Sequence, residues 1–142
     1  FYTNDSWYYS NLELADKYYA NNGDLLYTWS ATFGPHIWLG SKVIYHYHIW
    51  KLILSNTIDK NYCVHLLEKD KDDILSNKNG STMVHITKEG MENKRVILPL
   101  DVIEQNKIGK LLTELDKIIT LHQRKLEKLK NLKKACLDKM FV

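Results

Sequence analysis

After Pro99 the apolar residues recur about every 3.5 positions, which is the period of a coiled-coil helix. Residues 103–141 contain no proline, and Gly109 is their only glycine, the weakest helix former after proline. Asp101 is a suitable N-cap, and Glu104 follows three residues later, as in a capping box. The pattern therefore predicts one long, uninterrupted helix that begins at Asp101 and continues to the end of the chain.

The apolar positions of this helix form a seam that a small domain cannot cover. At about 1.5 Å per residue the helix reaches roughly 57 Å. An apolar seam of this length is expected to pair with another helix in water. We therefore predict that two copies of the chain form a homodimer through this helix when its natural partner is absent. A polar residue within such a seam can set register or partner choice. The predicted helix-packing positions are Ile108, Leu112, Leu115, Ile119, His122, Leu126, Leu129 and Leu132.

Before Pro99 the pattern changes to short runs of β-branched and aromatic residues separated by turn residues. Residues 59–76 have helical spacing of apolar side chains, residues 11–20 have a weaker helical pattern, and residues 30–35 predict a loop with glycine and proline. A turn of helix is expected between the last two short strands. The predicted strands are residues 23–29, 37–39, 42–46, 48–54, 83–86 and 95–98.

The composition supports a folded chain of two parts. Of 142 residues, 44% are apolar and 26% are charged, which excludes a disordered or membrane-embedded chain. No apolar run approaches the roughly 18 residues of a membrane span, and no N-terminal signal is visible, so a cytoplasmic location is expected. The first residue is Phe1, so we expect a piece of a longer protein. We predict an α+β fold, with a mixed-sheet domain at residues 1–100 and a coiled-coil helix at residues 101–142.

The two cysteines, Cys63 and Cys136, lie far apart and have no metal-binding spacing. A disulfide between them stays open, but two buried or half-buried thiols in a reducing compartment are the simpler interpretation.

Catalytic motifs are absent from the sequence. Ser30 lacks the Gly-x-Ser-x-Gly setting of a nucleophile, and no phosphate-binding glycine loop occurs. His46 and His48 would lie on one face of a strand, where they could hold a metal, but no carboxylate has a helpful spacing. Packing or ligand contact by these histidines is favoured, so we predict no enzyme, no bound metal and no cofactor.

Four strings in order resemble the specificity subunits of type I restriction–modification systems. Their order along the chain matches a target-recognition domain followed by a conserved spacer helix. The strings are GDLLYTWSATFGPHIW (Gly23–Trp38), KVIYHYHIWKL (Lys42–Leu52), GSTMVHI (Gly80–Ile86) and LPLDVIEQNKIGKLLTELDKIITLHQRKLEKLKNLKK (Leu98–Lys134).

The resemblance implies a non-catalytic subunit that reads one half of a split double-stranded DNA site. Full subunits of this family carry two recognition domains and two antiparallel spacer helices, and they recruit methylation and restriction subunits. S-adenosylmethionine, ATP and magnesium would belong to those partner subunits. This chain resembles the second half of such a subunit, or a half-size version, although its opening segment is short for a recognition domain.

Base edges in the major groove are read by hydrogen-bonding side chains on exposed loops. Tryptophans within short strands favour core positions, and Trp29, at the border of a polar loop, is the best exception for stacking on a base. Lys42 and Arg95 are candidates for phosphate contact, and the alternative for each polar loop residue is a solvated loop. The predicted base-reading loop residues are Ser30, Thr32, His36, Lys78, Asn79, Ser81 and Thr82.

The charge of residues 1–100 argues against tight DNA binding by the recognition domain alone. Residues 1–100 carry 10 basic and 11 acidic side chains, whereas residues 101–142 carry 10 and 6. Phosphate attraction alone will therefore not hold the recognition domain on DNA, and we predict weak DNA binding in isolation. The basic run between Arg124 and Lys134 favours a solvated helix face over phosphate contact.

The residues are also compatible with two other functions. A coiled-coil adaptor whose globular head binds another protein would need the same long helix. A small metal-dependent hydrolase would depend on His46 and His48.

Overall fold

The computed structural model describes residues 13–29, 33–76 and 87–141. Contacts divide the chain into two compact units, Phe1–Leu52 and Ile53–Val142. The long helix therefore belongs to the same compact unit as the residues that precede it from Ile53 onward. The functional division at residues 100 and 101 stays a prediction.

The first unit is built from short antiparallel strands that form two small sheets. One sheet pairs β1 with β4, and the other has the order β3-β2-β5, so β2 lies in its centre. A short 3-10 helix at Asp16–Tyr18 precedes the first strand. The strands are β1 (Tyr19–Ala20), β2 (Leu25–Thr28), β3 (Gly34–Ile37), β4 (Val43–Ile44) and β5 (Ile49–Leu52).

Strand β3 lies partly where a loop was predicted. Residues 34 and 35 were assigned to the loop at 30–35, but Thr28 pairs with Gly34 and Tyr27 pairs with Pro35. A proline is compatible with β3 because β3 is an edge strand of its sheet. On an edge strand the missing N–H of proline costs no hydrogen bond to a neighbouring strand. The predicted strand at 37–39 was wrong beyond Ile37.

Two further predictions were wrong. Residues 94–99 form no strand, and Ile97 is 99% exposed, so their apolar side chains do not lie on a sheet face. Within the predicted helical pattern at 11–20, the described residues 13–20 contain the 3-10 turn and strand β1 and no α-helix, because pairing with β4 decides the conformation of Tyr19 and Ala20. The predicted strand at 83–86 lies outside the described residues.

The core of the first unit centres on Trp38, which packs with Ala20 and Leu26. The Trp38 indole N–H donates to the carbonyl oxygen of Ser41 at 2.8 Å, so its polar group is satisfied inside the turn that follows β3. A Cβ at position 40 would lie 2.5 Å from the Trp38 ring. Gly40 is therefore required by the close approach of this ring to the backbone. Trp38 is therefore a core residue, as predicted, although it follows β3 and does not lie in a strand.

The second unit contains α1 (Lys60–Ser76), α2 (Lys88–Glu92) and α3 (Val102–Met140). The predicted helices at 59–76 and from 101 onward are confirmed, as is the turn of helix at α2. Asp101 caps α3, and its Oδ1 accepts a hydrogen bond from the amide of Ile103 at 2.8 Å. The first three turns of α3 pack against α1, whereas every described residue from 114 to 140 is exposed.

A buried glutamine holds α3 against the start of α1. Gln105 is 0% exposed, and its Oε1 accepts from the amide of Asp59 at 2.8 Å. Its Nε2 donates to the carbonyl oxygens of Thr57 at 3.1 Å and Pro99 at 2.7 Å. The side-chain amide thus bonds three backbone groups in two segments, the one that enters α1 and the one that precedes α3, which is why a polar group is stable at this buried position.

Asp59 completes this contact from the α1 side. Its Oδ1 accepts from the amide of Tyr62 at 3.0 Å, and its Oδ2 accepts from Asn106 Nδ2 at 2.8 Å. Burial opposes the charged form, but these hydrogen bonds, with the Asn61 amide and the Lys110 charge, hold the pKa of Asp59 below its usual value. Since the folded pKa is lowered, this stabilisation is present at neutral pH and is lost as the pH falls through the pKa of Asp59.

We call the set Asp59, Gln105, Asn106 and Gly109 the helix junction. A Cβ on Gly109 would lie 2.6 Å from the backbone nitrogen of Tyr62, so the two helices cross at this glycine. The glycine that weakens the helical pattern in sequence is thus the point of closest approach in the fold.

Both cysteines are free. Cys63 is buried, and burial, with a smaller effect of the Asp59 charge, raises the pKa of its thiol. Cys136 is exposed on α3, so the expectation of two buried or half-buried thiols was wrong for this residue. It lies in the exposed part of α3, residues 114–140.

Candidate nucleic-acid interface

One end of the three-stranded sheet collects the residues that follow β2 and precede β3 and β5. Thr28 pairs with Gly34 on one side and with Ile49 on the other. The last residue of β2 therefore lies beside the first residues of β3 and β5, because neighbouring strands run antiparallel. Trp29 and the residues just before Ile49 consequently meet at this end, which we call the recognition end.

An aromatic cluster forms the recognition end. The rings of Trp29 and Trp50 are stacked with centroids 5.8 Å apart, and His48 meets Trp29 edge-on at 4.7 Å. The amide of Trp29 donates to the carbonyl oxygen of His48 at 3.3 Å. Trp29 is half-buried, and its buried Nε1 has no hydrogen-bond partner among the described residues. The predicted stacking tryptophan is thus held rigidly at the place where the chain enters residues 30–32.

The turn between β4 and β5 presents His46, Tyr47 and His48. The amide of Ile49 donates to the carbonyl oxygen of His46 at 2.9 Å, which closes the turn. The Tyr47 ring lies 4.2 Å from His46 and 4.0 Å from His48 between centroids. His46 and Tyr47 are exposed, whereas His48 is half-buried against Trp29. The sequence prediction, which placed the two imidazoles on one strand face, was wrong because these residues form a turn.

His36 lies on the other face of the sheet from the aromatic cluster. Its Nε2 is 3.0 Å from Thr28 Oγ1, and the pair borders a concave pocket of about 410 Å³. Leu26, Trp38 and Ile49 supply much of the apolar wall of this pocket. His36 therefore lies on a face of the sheet, within β3, and not in an exposed loop as predicted.

The two predicted phosphate contacts differ in their surroundings. Lys42 Nζ is 3.3 Å from Asp16 Oδ1 and 4.2 Å from the centre of the Tyr19 ring. An exposed ion pair of this kind contributes little and can be exchanged for a phosphate. Arg95 is exposed in the irregular segment before Pro99. The remaining predicted base-reading positions lie outside the described residues: Ser30, Thr32, Lys78, Asn79, Ser81 and Thr82.

Carboxylates are absent from the stretch that forms the recognition end. Residues 25–58 contain no aspartate or glutamate, although residues 1–100 together carry a net negative charge. Asp24 lies at the opposite end of β2, where its Oδ2 is 2.6 Å from Lys51 Nζ. Sequence reasoning missed this separation because it averaged the charge over the whole domain. The recognition end therefore presents hydrogen-bonding and aromatic groups without charges that repel phosphate.

The described residues contain no group of three side chains that could hold a metal ion. They also include no helix with the length and apolar character needed to cross a membrane.

The predicted packing positions of α3 fall into two sets. Ile108 and Leu112 are half-buried in the segment that packs on α1. The other six lie on the exposed part of the helix: Leu115, Ile119, His122, Leu126, Leu129 and Leu132.

Comparison with known proteins identifies relatives of the chain. A family model described as "Type I restriction modification DNA specificity domain" matches residues 1–131. The chain is 30% identical over 122 residues to the "Type I restriction enzyme MjaVIII specificity subunit" of Methanocaldococcus jannaschii. The matched region covers 85% of this chain and 28% of that relative. No solved structure matches the chain significantly.

Proposed function

Because the chain belongs to the family of type I restriction–modification DNA specificity domains, we propose that it is the non-catalytic part that selects a DNA sequence. In this proposal it reads one half of a bipartite double-stranded site, and methylation and restriction subunits assemble on the protein that contains it. The family match over residues 1–131 carries the proposal, and the carboxylate-free recognition end supports it.

Base reading is assigned to the recognition end and to the loop residues predicted from sequence. Trp29, the residue before the predicted loop, is held at the recognition end by ring contacts with His48 and Trp50. A rigid scaffold that carries polar loop side chains is the usual arrangement for groove readout. S-adenosylmethionine, ATP and magnesium remain assigned to partner subunits, and a cytoplasmic location remains a prediction.

The charge distribution along α3 favours antiparallel pairing of two copies. Residues 121–140 carry seven basic and two acidic side chains, whereas residues 102–120 carry three of each. A parallel dimer would place the two basic halves side by side, which is repulsive. An antiparallel dimer places each basic half beside a neutral half. The exposed seam is therefore proposed to bind a second α3 in the opposite direction.

The decisive experiment for sequence selection exchanges the recognition domain. Replacing Gly23–Leu98 by the equivalent segment of a relative with another target is expected to change the modified DNA sequence to that of the donor. The readout is sequencing of methylated sites after assembly with methylation subunits. An unchanged target sequence would favour the adaptor function, in which the head binds only protein.

A second prediction concerns the seam of α3. The chain is expected to sediment as a dimer at tens of micromolar, a concentration chosen from typical association constants, and Leu129→Glu is expected to give a monomer. Leu129 lies in the seam and is 54% exposed, so the new carboxylate would be buried only in the dimer.

Asn131→Glu is the matched control for this variant. Residue 131 is exposed and lies two positions along α3, hence about 200° around the helix, away from the seam. The control is expected to remain dimeric. A wild-type chain that sediments as a monomer at this concentration would contradict the prediction.

A further inference from the structure

We propose that the β4–β5 turn, through His46 and Tyr47, is a base-reading element of the recognition domain. The inference rests on the proposed DNA function, gives His46 a specific role in place of the general packing or ligand contact predicted for it, and adds Tyr47, to which neither the family match nor the sequence motifs assign a role. Their partner would be base edges in the major groove, beside the bases contacted by the loop that follows Trp29.

Exposure and chemistry support this assignment. Tyr47 is 73% exposed although it is a large aromatic residue, and His46 beside it is also exposed. An imidazole and a phenol both donate and accept hydrogen bonds, which is what base edges in the major groove require. Their rings contact each other at 4.2 Å, so the pair is partly ordered before it meets a ligand. Such preorganisation reduces the entropy lost on binding.

Position supports it independently. The turn is joined to Trp29 by the backbone hydrogen bond to the His48 carbonyl oxygen and by the ring contact with His48. His48 therefore acts as a positioning residue, because it fixes the turn beside the start of the predicted base-reading loop. A turn and a loop that leave the same end of one sheet can enter adjacent steps of one groove.

The composition of the turn and its surroundings is compatible with DNA and disfavours a metal ion. No carboxylate occurs between Asp24 and Asp59, so the turn does not repel a phosphate backbone. The described residues provide no third metal ligand for the two imidazoles. The exposed imidazole and phenol supply hydrogen-bond donors and acceptors, which suits base edges in the major groove.

The test uses the native protein that contains this chain, assembled with its methylation subunits. His46→Ala and Tyr47→Ala are compared with wild type by selection of bound duplexes from a random pool and by sequencing of methylated sites. Both variants are expected to lose preference at one or two adjacent base pairs. Affinity for the wild-type site is expected to fall about 5- to 10-fold, with unchanged affinity for unrelated DNA.

His46→Arg provides a gain-of-function arm. Arginine makes bidentate contacts with guanine, so this variant is expected to select guanine at the position where His46→Ala loses preference. A changed base preference cannot result from misfolding. Leu39→Ala is the control, because Leu39 is 78% exposed and follows β3 at the opposite end of the same sheet. It is expected to keep the wild-type site and affinity.

Three results would overturn the inference alone. The first is an unchanged target site and affinity in both alanine variants. The second is an equal loss of affinity for every DNA sequence, which would indicate phosphate contact. The third is dissociation of the methylation subunits from the complex, which would indicate a protein interface. A wild-type complex with no sequence preference would instead overturn the proposed function and the inference together.

Discussion

Gln105→Ala is expected to lower the free energy of unfolding of the second unit by about 2–3 kcal/mol. The substitution removes the partner of the Asp59 amide and of the carbonyl oxygens of Thr57 and Pro99. These hydrogen bonds are part-buried, and a buried polar group that loses its partner costs about 1–3 kcal/mol, so the three groups together lose less than three fully buried ones would. Loss of side-chain volume adds a small cavity.

The measurement is urea unfolding at a fixed chain concentration, since dimerisation would make stability depend on concentration. Gln123→Ala is the matched control, because Gln123 is an exposed glutamine on the same helix. It is expected to change stability by less than about 0.5 kcal/mol. Equal unfolding curves for the two variants would show that the buried amide network contributes nothing.

Hydrogen exchange locates the effect. In wild type the amide of Asp59 is bonded to Gln105, so it is expected to exchange slowly. Gln105→Ala is expected to accelerate amide exchange at Asp59 and at the start of α1 more than in the rest of the second unit. Uniform acceleration would instead indicate global destabilisation with no particular role for the junction.

Gly109→Ala is expected to destabilise the second unit by about 1–3 kcal/mol, in spite of the higher helix propensity of alanine. Propensity alone would stabilise the helix by about 1 kcal/mol. The new Cβ, however, would lie 2.6 Å from the Tyr62 nitrogen and 3.0 Å from the Asn61 carbonyl carbon. Both are backbone atoms of α1, so they cannot rotate away as a flexible side chain can.

Side chains of increasing size at position 109 test whether the loss of stability is steric. Gly109→Leu is expected to cost more than Gly109→Ala, because the helices must separate further. Thr120→Ala on the exposed part of α3 is the control, and it is expected to be neutral or slightly stabilising since only propensity changes there. If Gly109→Ala stabilised the unit by about 1 kcal/mol, the close crossing of α1 and α3 would be wrong.

Two residues of the helix junction, Gln105 and Gly109, lie at the start of α3 outside the apolar seam. Gln105 and Gly109 are poor residues for an apolar seam, and local reasoning could identify Gly109 only as a weak point. In the fold they are the two fully buried residues of α3 in the described chain. A buried amide and a glycine allow close approach and exact pairing with backbone, which larger apolar residues would prevent.

The candidate interface was predicted unevenly. Trp29 was identified because it borders a polar loop, and the fold places it at the recognition end. The turn at His46 and Tyr47 was misread because alternating aromatic and imidazole residues have strand periodicity. Turn formation there depends on β4 pairing with β1 while β5 pairs with β2, which is a long-range choice. Gly34 and Pro35 instead pair locally with β2, and they form an edge strand because β5 occupies the other side of β2.

The sequence by itself determined the features that depend on neighbouring residues. These are the cap at Asp101, the unbroken course of α3, helix α1 and the apolar seam, because helix formation and capping are set within a few positions along the chain. Tertiary structure alone decided where α3 crosses α1, which side chains are buried there, and which groups meet at the recognition end. Those outcomes depend on contacts between residues distant in sequence, and neither periodicity nor composition encodes which distant partners will pack together.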